Sequence, residues 1–151
     1  MMDSYKSLLS KGAKYCAEQE RCKSEVRKKL LFWKATKEET IQIIEELEKQ
    51  NFISEKRFVS AYCIGKFRQL GWGRIKIRAG LKQLGISPTL IGAGLQEIPE
   101  QEYKTLLAKT AEKKGLSKLK EEDFEAKVKI FRHLLSKGFE PELVKSILDL
   151  D

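Results

Sequence analysis

The chain is expected to be all-α, with three tandem three-helix repeats forming an elongated, curved array. Three observations predict this. Ile77-x3-Leu81-x3-Gly85-Ile86-Ser87-Pro88-x2-Ile91-x3-Leu95 recurs without a gap as Ile130-x3-Leu134-x3-Gly138-Phe139-Glu140-Pro141-x2-Val144-x3-Leu148, at an offset of 53 residues. Val26-Arg27-x2-Leu30 matches Ile77-Arg78-x2-Leu81 at an offset of 51, with one residue read as inserted before Ile41. A period of about 50 residues belongs to arrays whose units bury their apolar faces on their neighbours. Composition agrees, because only three prolines interrupt 151 residues dominated by Leu, Lys, Glu, Ile and Ala, which suit helix better than sheet. The units are placed at residues 1–53, 54–98 and 99–151.

In the first unit, Ser4 reads as the N-cap of a helix with Tyr5, Leu8, Leu9 and Cys16 along one face. A second helix starts between residues 22 and 24 and carries Val26, Leu30 and Leu31 inward, with Arg27, Lys28 and Lys29 turned elsewhere. Thr36-Lys37-Glu38-Glu39 is a capping box, in which the Thr36 hydroxyl and the Glu39 carboxylate each accept from the other residue's N–H. The helix it opens is read with Ile41, Ile44 and Leu47 inward and the glutamates in solvent.

Ser54 opens the second unit. Phe58, Ala61, Tyr62 and Gly65 form one helical stripe, and Val59, Cys63, Phe67 and Leu70 a second beside it, as in a helix packed on two sides. Gly71 and Gly73 then break the helix around Trp72, which is read as an anchor packed between helices. From Arg74 a new helix turns Ile77, Leu81 and Leu84 to the core, and Ser87-Pro88 caps the next, which carries Ile91, Leu95 and Ile98. In the third unit, a helix from Pro99 holds Tyr103, Leu106, Leu107 and Ala111 and ends at Gly115. After a Lys-rich link come Phe124, Val128, Phe131 and Leu135 at helical spacing, and then a closing helix with Leu143, Val144, Ile147 and Leu148.

Charge is concentrated in the middle. Between residues 56 and 96 there are eight basic residues and no acidic one; removing them from the chain's 30 leaves 22 against 22 acids, so this segment carries the whole net charge of +8. Such a field suits a polyanion or an acidic protein surface. The candidate contact residues are Arg57, Lys66, Arg68, Arg74, Lys76, Arg78 and Lys82. Arg74, Arg78 and Lys82, four residues apart, are expected to form an exposed basic ridge whose loss would leave stability nearly unchanged.

Catalytic chemistry is not suggested. His133 is the single histidine and is read as a surface or boundary residue, which leaves no zinc-protease motif and no Ser-His-Asp order. No Gly-x4-Gly-Lys run cradles a phosphate, and Gly92-Ala93-Gly94 is read as close helix packing. Cys16, Cys22 and Cys63 lack Cys-x-x-Cys spacing and are read as reduced, partly buried thiols. The four aspartates, at 3, 123, 149 and 151, have no metal-ligand spacing, so no metal is expected, nor any cofactor; no membrane is expected either, since no stretch approaches the roughly 20 apolar residues of a span. The protein is expected to be a cytoplasmic monomer.

At Ser54-Glu55-Lys56-Arg57-Phe58-x2-Ala61-Tyr62, at Gly71-Trp72-Gly73 and at Ile77-x3-Leu81-x3-Gly85-Ile86, the chain resembles the RecX family. In the first unit, Ala17-x2-Glu20-Arg21-x3-Glu25-Val26-Arg27-x2-Leu30 looks like the family's opening helices. The family comprises bacterial regulators of the recombinase RecA, built from tandem three-helix repeats. The resemblance implies a protein lying along the groove of the RecA–DNA filament, blocking filament growth, strand exchange, ATPase and coprotease activities. Weak, electrostatic contact with single- and double-stranded DNA is implied with it. The chain departs from the family's pattern in having Lys56 and a single acid before Arg57, Arg74 where proline is common, and Gly80 where glutamate is usual.

Two other readings fit the residues. One is a stand-alone nucleic-acid-binding protein using a helix-turn-helix-like pair, with the helix from Arg74 in a groove; having no Asn or Gln before Gln83, it would hold phosphates better than read bases. The other is a helical adaptor for an acidic protein.

Overall fold

Helix boundaries follow local chemistry throughout the computed structural model, which describes residues 2–150, with side chains from Ser4. The helices are α1 (Met2–Glu18), α2 (Lys23–Phe32), α3 (Lys37–Lys49), α4 (Glu55–Leu70), α5 (Arg74–Gln83), α6 (Pro88–Gln96), α7 (Glu100–Lys113), α8 (Phe124–Ser136) and α9 (Pro141–Leu148), with a short 3-10 turn at Leu116–Lys118. No strand occurs among the described residues. Thr36 Oγ1 accepts from Glu39 N at 3.1 Å and Thr36 N donates to Glu39 at 2.9 Å, completing the capping box. Ser54 and Ser87 cap α4 and α6 through the amides of Arg57 and Leu90. Ser4 is not a cap: nothing before it breaks a helix, and α1 runs back to Met2.

Helices pack in consecutive triplets, α1–α3, α4–α6 and α7–α9. Leu30, Leu81 and Leu134 occupy equivalent positions and each is fully buried. The first triplet keeps the repeat without an insertion. At a constant offset of 51, Lys34, Ala35, Thr36, Thr40 and Ile44 stand where the second has Gly85, Ile86, Ser87, Ile91 and Leu95. Lys34 takes the left-handed conformation of Gly85 and Gly138 (φ 65°, 79° and 97°). Thr40 fills the slot of Ile91, its hydroxyl turned back to Thr36 O at 2.8 Å, which satisfies it in the core. Ile44 and Leu47 face inward as expected and Ile43 joins them, whereas Ile41, placed inward on the strength of an insertion that is not there, is exposed. Leu31, Ala61, Leu70 and Phe124 also face solvent, because α2, α4 and α8 each bury a narrower stripe than the spacing suggested. Gly94 packs against Val59 and Cys63, as close helix packing requires, but Gly92 meets nothing.

Units 2 and 3 share one continuous core from Phe58 to Leu148, into which unit 1 inserts Cys22. The rest of unit 1 packs separately around Val26, Leu30, Ile43 and Leu47. The chain exposes 9929 Å² of surface, against about 7,900 Å² for a globular monomer of this mass, as expected of units stacked in a row.

The two seams between units are variants of one contact. At the seam between units 2 and 3, Gly73 N donates to Lys137 O at 2.7 Å and Ile75 N to Gly138 O at 2.9 Å. A Cβ on Gly73 would run into the Gly138 carbonyl, and one on Gly138 would lie 2.7 Å from Lys76 N. At the seam between units 1 and 2, Ser24 and Leu84 stand at the positions of Ile75 and Lys137, and the Ser24 hydroxyl donates to Leu84 O at 2.8 Å. Here Cys22 replaces Gly73, the backbones stay further apart, and a Cβ on Gly85 would meet nothing.

Gly85 and Gly138 therefore share backbone conformation and differ in surroundings. Gly85→Ala should cost about 1 kcal/mol for the left-handed backbone alone. Gly138→Ala should cost roughly 3 kcal/mol or more, because the methyl also drives the seam apart. Urea unfolding of both variants checks this, and equal costs would contradict the seam geometry.

Candidate nucleic-acid interface

Unit 2 has no acids of its own between residues 56 and 96, so its cations either borrow carboxylates from the neighbouring units or stay unpaired. Three borrow. Arg57 meets Glu20 of unit 1 at 3.1 Å and donates to Asn51 O at 2.7 Å. Arg68 binds Glu102 of unit 3 through two bonds of 2.9 and 3.0 Å, the strong bidentate geometry; this hydrogen bond lowers the Glu102 pKa and raises that of Arg68.

Arg74 is the most committed, and it is not part of an open ridge. Its side chain is only 21% exposed and meets Glu140 at 2.7 Å and Glu100 at 2.5 Å. The guanidinium lies 3.8 Å from the centre of the Tyr103 ring, a favourable cation–π stack. Tyr103, fully buried, accepts from Arg74 N at 2.9 Å and donates to Glu140. Phe67 and Phe139 pack on its ring from units 2 and 3. Burial, then the bond to Glu140, holds the Tyr103 pKa well above its ordinary 10.0.

Among the described residues, Lys66, Lys76, Arg78 and Lys82 have no ion-pair partner. Two of them embrace the turn at Trp72. Lys66 Nζ lies 5.2 Å and Lys76 Nζ 4.8 Å from the indole, which meets Tyr62 edge-on at 6.4 Å. Tyr62 reaches this position because Gly80 leaves the space its hydroxyl fills; the glutamate common in the family would collide with it. Trp72 is thus half-buried, both an anchor and the base of a basic platform. Arg78 and Lys82 continue the free cations along α5 into solvent. This arrangement can hold phosphate oxygens on ammonium and guanidinium groups beside an aromatic surface.

Family models described as RecX, second three-helix domain, and RecX, third three-helix domain, match residues 54–95 and 100–148. The regulatory protein RecX of Clostridium tetani is 34% identical over 150 residues, covering 97% of this chain and 68% of that protein. The chain belongs to the RecX family. RecX of Yersinia enterocolitica is 34% identical over 106 residues, 70% of this chain and 62% of that protein. A RecX of Clostridium perfringens is 32% identical over 131 residues, 85% of this chain and 60% of its relative. The chain therefore spans between 60% and 68% of these relatives' lengths. The RecX crystal structure from Lactobacillus salivarius superposes with a TM-score of 0.85 at 22% identity, over 99% of both chains, and so shares the fold.

Sequence reasoning missed the glutamates that partner the RecX-type basic unit, although the flanking Glu97-Ile98-Pro99-Glu100-Gln101-Glu102 signalled nearby acid. All three cysteines are free and buried, with burial pushing Cys16 and Cys63 up to about 11. His133, half-buried, has its pKa lowered by burial and then by Lys114 and Lys137. Among the described residues no cluster could hold a metal and no helix is long and apolar enough to cross a membrane.

Arg74→Ala should cost about 2 kcal/mol, the value of a half-buried charge pair that still meets solvent, whereas Arg78→Ala should stay within about 0.5 kcal/mol of the parent. Thermal and urea unfolding decide; equal stability would show that Arg74 is not a clasp. A second expectation follows from Tyr103. A folded pKa raised above the unfolded value of about 10 gives stabilisation complete below that pH and lost as pH rises through the folded pKa. Tyr103→Phe should therefore be less stable by about 1–2 kcal/mol at neutral pH, with the gap narrowing in alkaline titrations of unfolding free energy.

Proposed function

We propose that this RecX-family chain is a regulatory, non-enzymatic protein that binds the RecA–DNA filament and modulates, mainly inhibits, its growth, ATPase, strand exchange and coprotease activities. Lys66, Lys76, Arg78 and Lys82, with Trp72 among them, form the contact surface with DNA and filament. Arg57, Arg68 and Arg74 hold the units in the geometry that presents it. The observation carrying this reading is the partition of charge. A basic unit with no acid between residues 56 and 96 gives three arginines to its neighbours and leaves the remaining cations open, on an extended molecule suited to a long anionic groove. Membership in the RecX family, whose relatives are named regulatory proteins, supports the choice of RecA over an unrelated acidic partner.

A stand-alone DNA-binding role through α5 would use the same cations but would not require RecA. RecA capture with and without single-stranded DNA separates the two. For the surface itself, changing Lys66, Lys76, Arg78 and Lys82 together to alanine should lower the salt slope of DNA binding by about one for each phosphate no longer neutralised. The same variant should inhibit RecA's DNA-dependent ATPase poorly while melting like the parent. Full inhibition at every salt concentration would leave these residues as a solvated face.

A further inference from the structure

The wider seam between units 1 and 2 leaves a cleft of about 570 Å³, within the range of about 300–1,000 Å³ typical of small-ligand pockets. Phe32, the last residue of α2, stands on its rim and is 75% exposed. It lies two residues past Leu30, about 200° around the helix from the buried face, so the core makes no use of it. Lys29 Nζ sits 5.5, 5.6 and 5.5 Å from the rings of Tyr15, Phe32 and Trp33. Lys28 lines the same cleft, and Gln83 and Leu84 of unit 2 form its far wall. Its acidic residue, Glu25, is turned to the helix start, accepting from Cys22 N at 3.1 Å. Immediately before Gln83 in the chain stands Lys82, one of the unpaired cations of α5.

We propose that this cleft binds an unpaired nucleotide of single-stranded DNA, its base stacked on Phe32 and its flanking phosphates held by Lys28 and Lys29. An open aromatic face beside ammonium groups is the arrangement that single-stranded nucleic acid requires, because every base offers a π-face and every link a phosphate. Duplex DNA keeps its base faces covered by stacking and cannot use Phe32. A partner helix is disfavoured, since it needs a groove receiving apolar anchors at successive turns, and the cleft offers one open ring between lysines. Stacking one base is worth about 5- to 150-fold in affinity. The proposal takes DNA as ligand from the function proposed above and adds a second contact that distinguishes single strands from duplex.

The test is fluorescence anisotropy of labelled oligo(dT), and of a duplex of equal length, with the full chain and no RecA at one salt concentration. Phe32→Ala should lose about 5- to 150-fold for oligo(dT) and less than about twofold for duplex, while Phe32→Trp keeps both. Unchanged oligo(dT) binding by Phe32→Ala, equal loss for both DNA forms, or a parent chain without preference for oligo(dT) would overturn the proposal. So would unchanged DNA binding with loss of RecA capture, which would make the cleft a protein site. The four-alanine variant of unit 2 runs alongside: if it binds DNA like the parent while Phe32→Ala loses oligo(dT), the unit 2 surface fails and the cleft stands. Should Phe32→Ala not fold, Phe32→Trp decides, because oligo(dT) must quench its emission more than the parent's.

Discussion

Two backbones meet at the seam of units 2 and 3, and the rest of the molecule is arranged around that approach. Gly73 and Gly138 come together closely enough that a methyl on either would strike the other chain segment. The amides of Gly73 and Ile75 are satisfied by carbonyls at the turn after α8, so two of the orphan donors at the start of α5 are answered by another unit. Lys137 returns the contact, donating from Nζ to Leu70 O at 2.7 Å at the C-terminal end of α4, where a cation also suits the helix dipole. Tyr103 and Arg74 close the seam with aromatic stacking and charge.

Repetition is imperfect where the seams need it to be. Thr36 and Ser87 cap the third helices of units 1 and 2 with their hydroxyls. Glu140, at the same repeat position, caps nothing with its side chain; its carboxylate serves Arg74 and Tyr103 instead. Capping is worth about 1 kcal/mol, less than the clasp that replaces it. Pro141 at the first turn of α9 keeps the helix start defined without the cap. The same logic explains the arginine that stands at 74 where a proline is common in the family: a proline there would remove both the guanidinium and the amide that donates to Tyr103.

The fold was legible because its signal is periodic and local. Gly85, Gly138, Pro88 and Pro141 mark turns and caps by their own chemistry, and the leucines between them recur at fixed spacing. Unit 1 was harder, because Lys34 does the work of a glycine and Thr40 that of an isoleucine, and neither substitution is visible from residue type. The basic segment was legible as a sum and not as a distribution. Arg74 and Arg78 are alike in the sequence, four residues apart on one helix. What separates them is Glu100 and Glu140, brought to Arg74 from 26 and 66 residues away. No spacing rule reaches so far.

The seam also determines how the free cations are displayed. Gly71 ends α4 in the left-handed conformation with Gly71 and Trp72 amides bonded back to Phe67 and Lys66, a Schellman-type close. One residue later Gly73 is fixed against unit 3. Trp72 therefore has its backbone held on both sides, by α4 and by the seam, and the lysines over its ring inherit that position. Arg78 and Lys82 lie one and two turns beyond Arg74 on α5, so the clasp that anchors the head of the helix also sets the direction of its exposed cations. A ligand drawing those cations into a new arrangement must work against the Arg74–Glu140 and Gly73–Lys137 contacts. A change in how unit 3 sits must in turn alter the surface offered by unit 2. Architecture and the proposed contact surface in this molecule are two sides of α5.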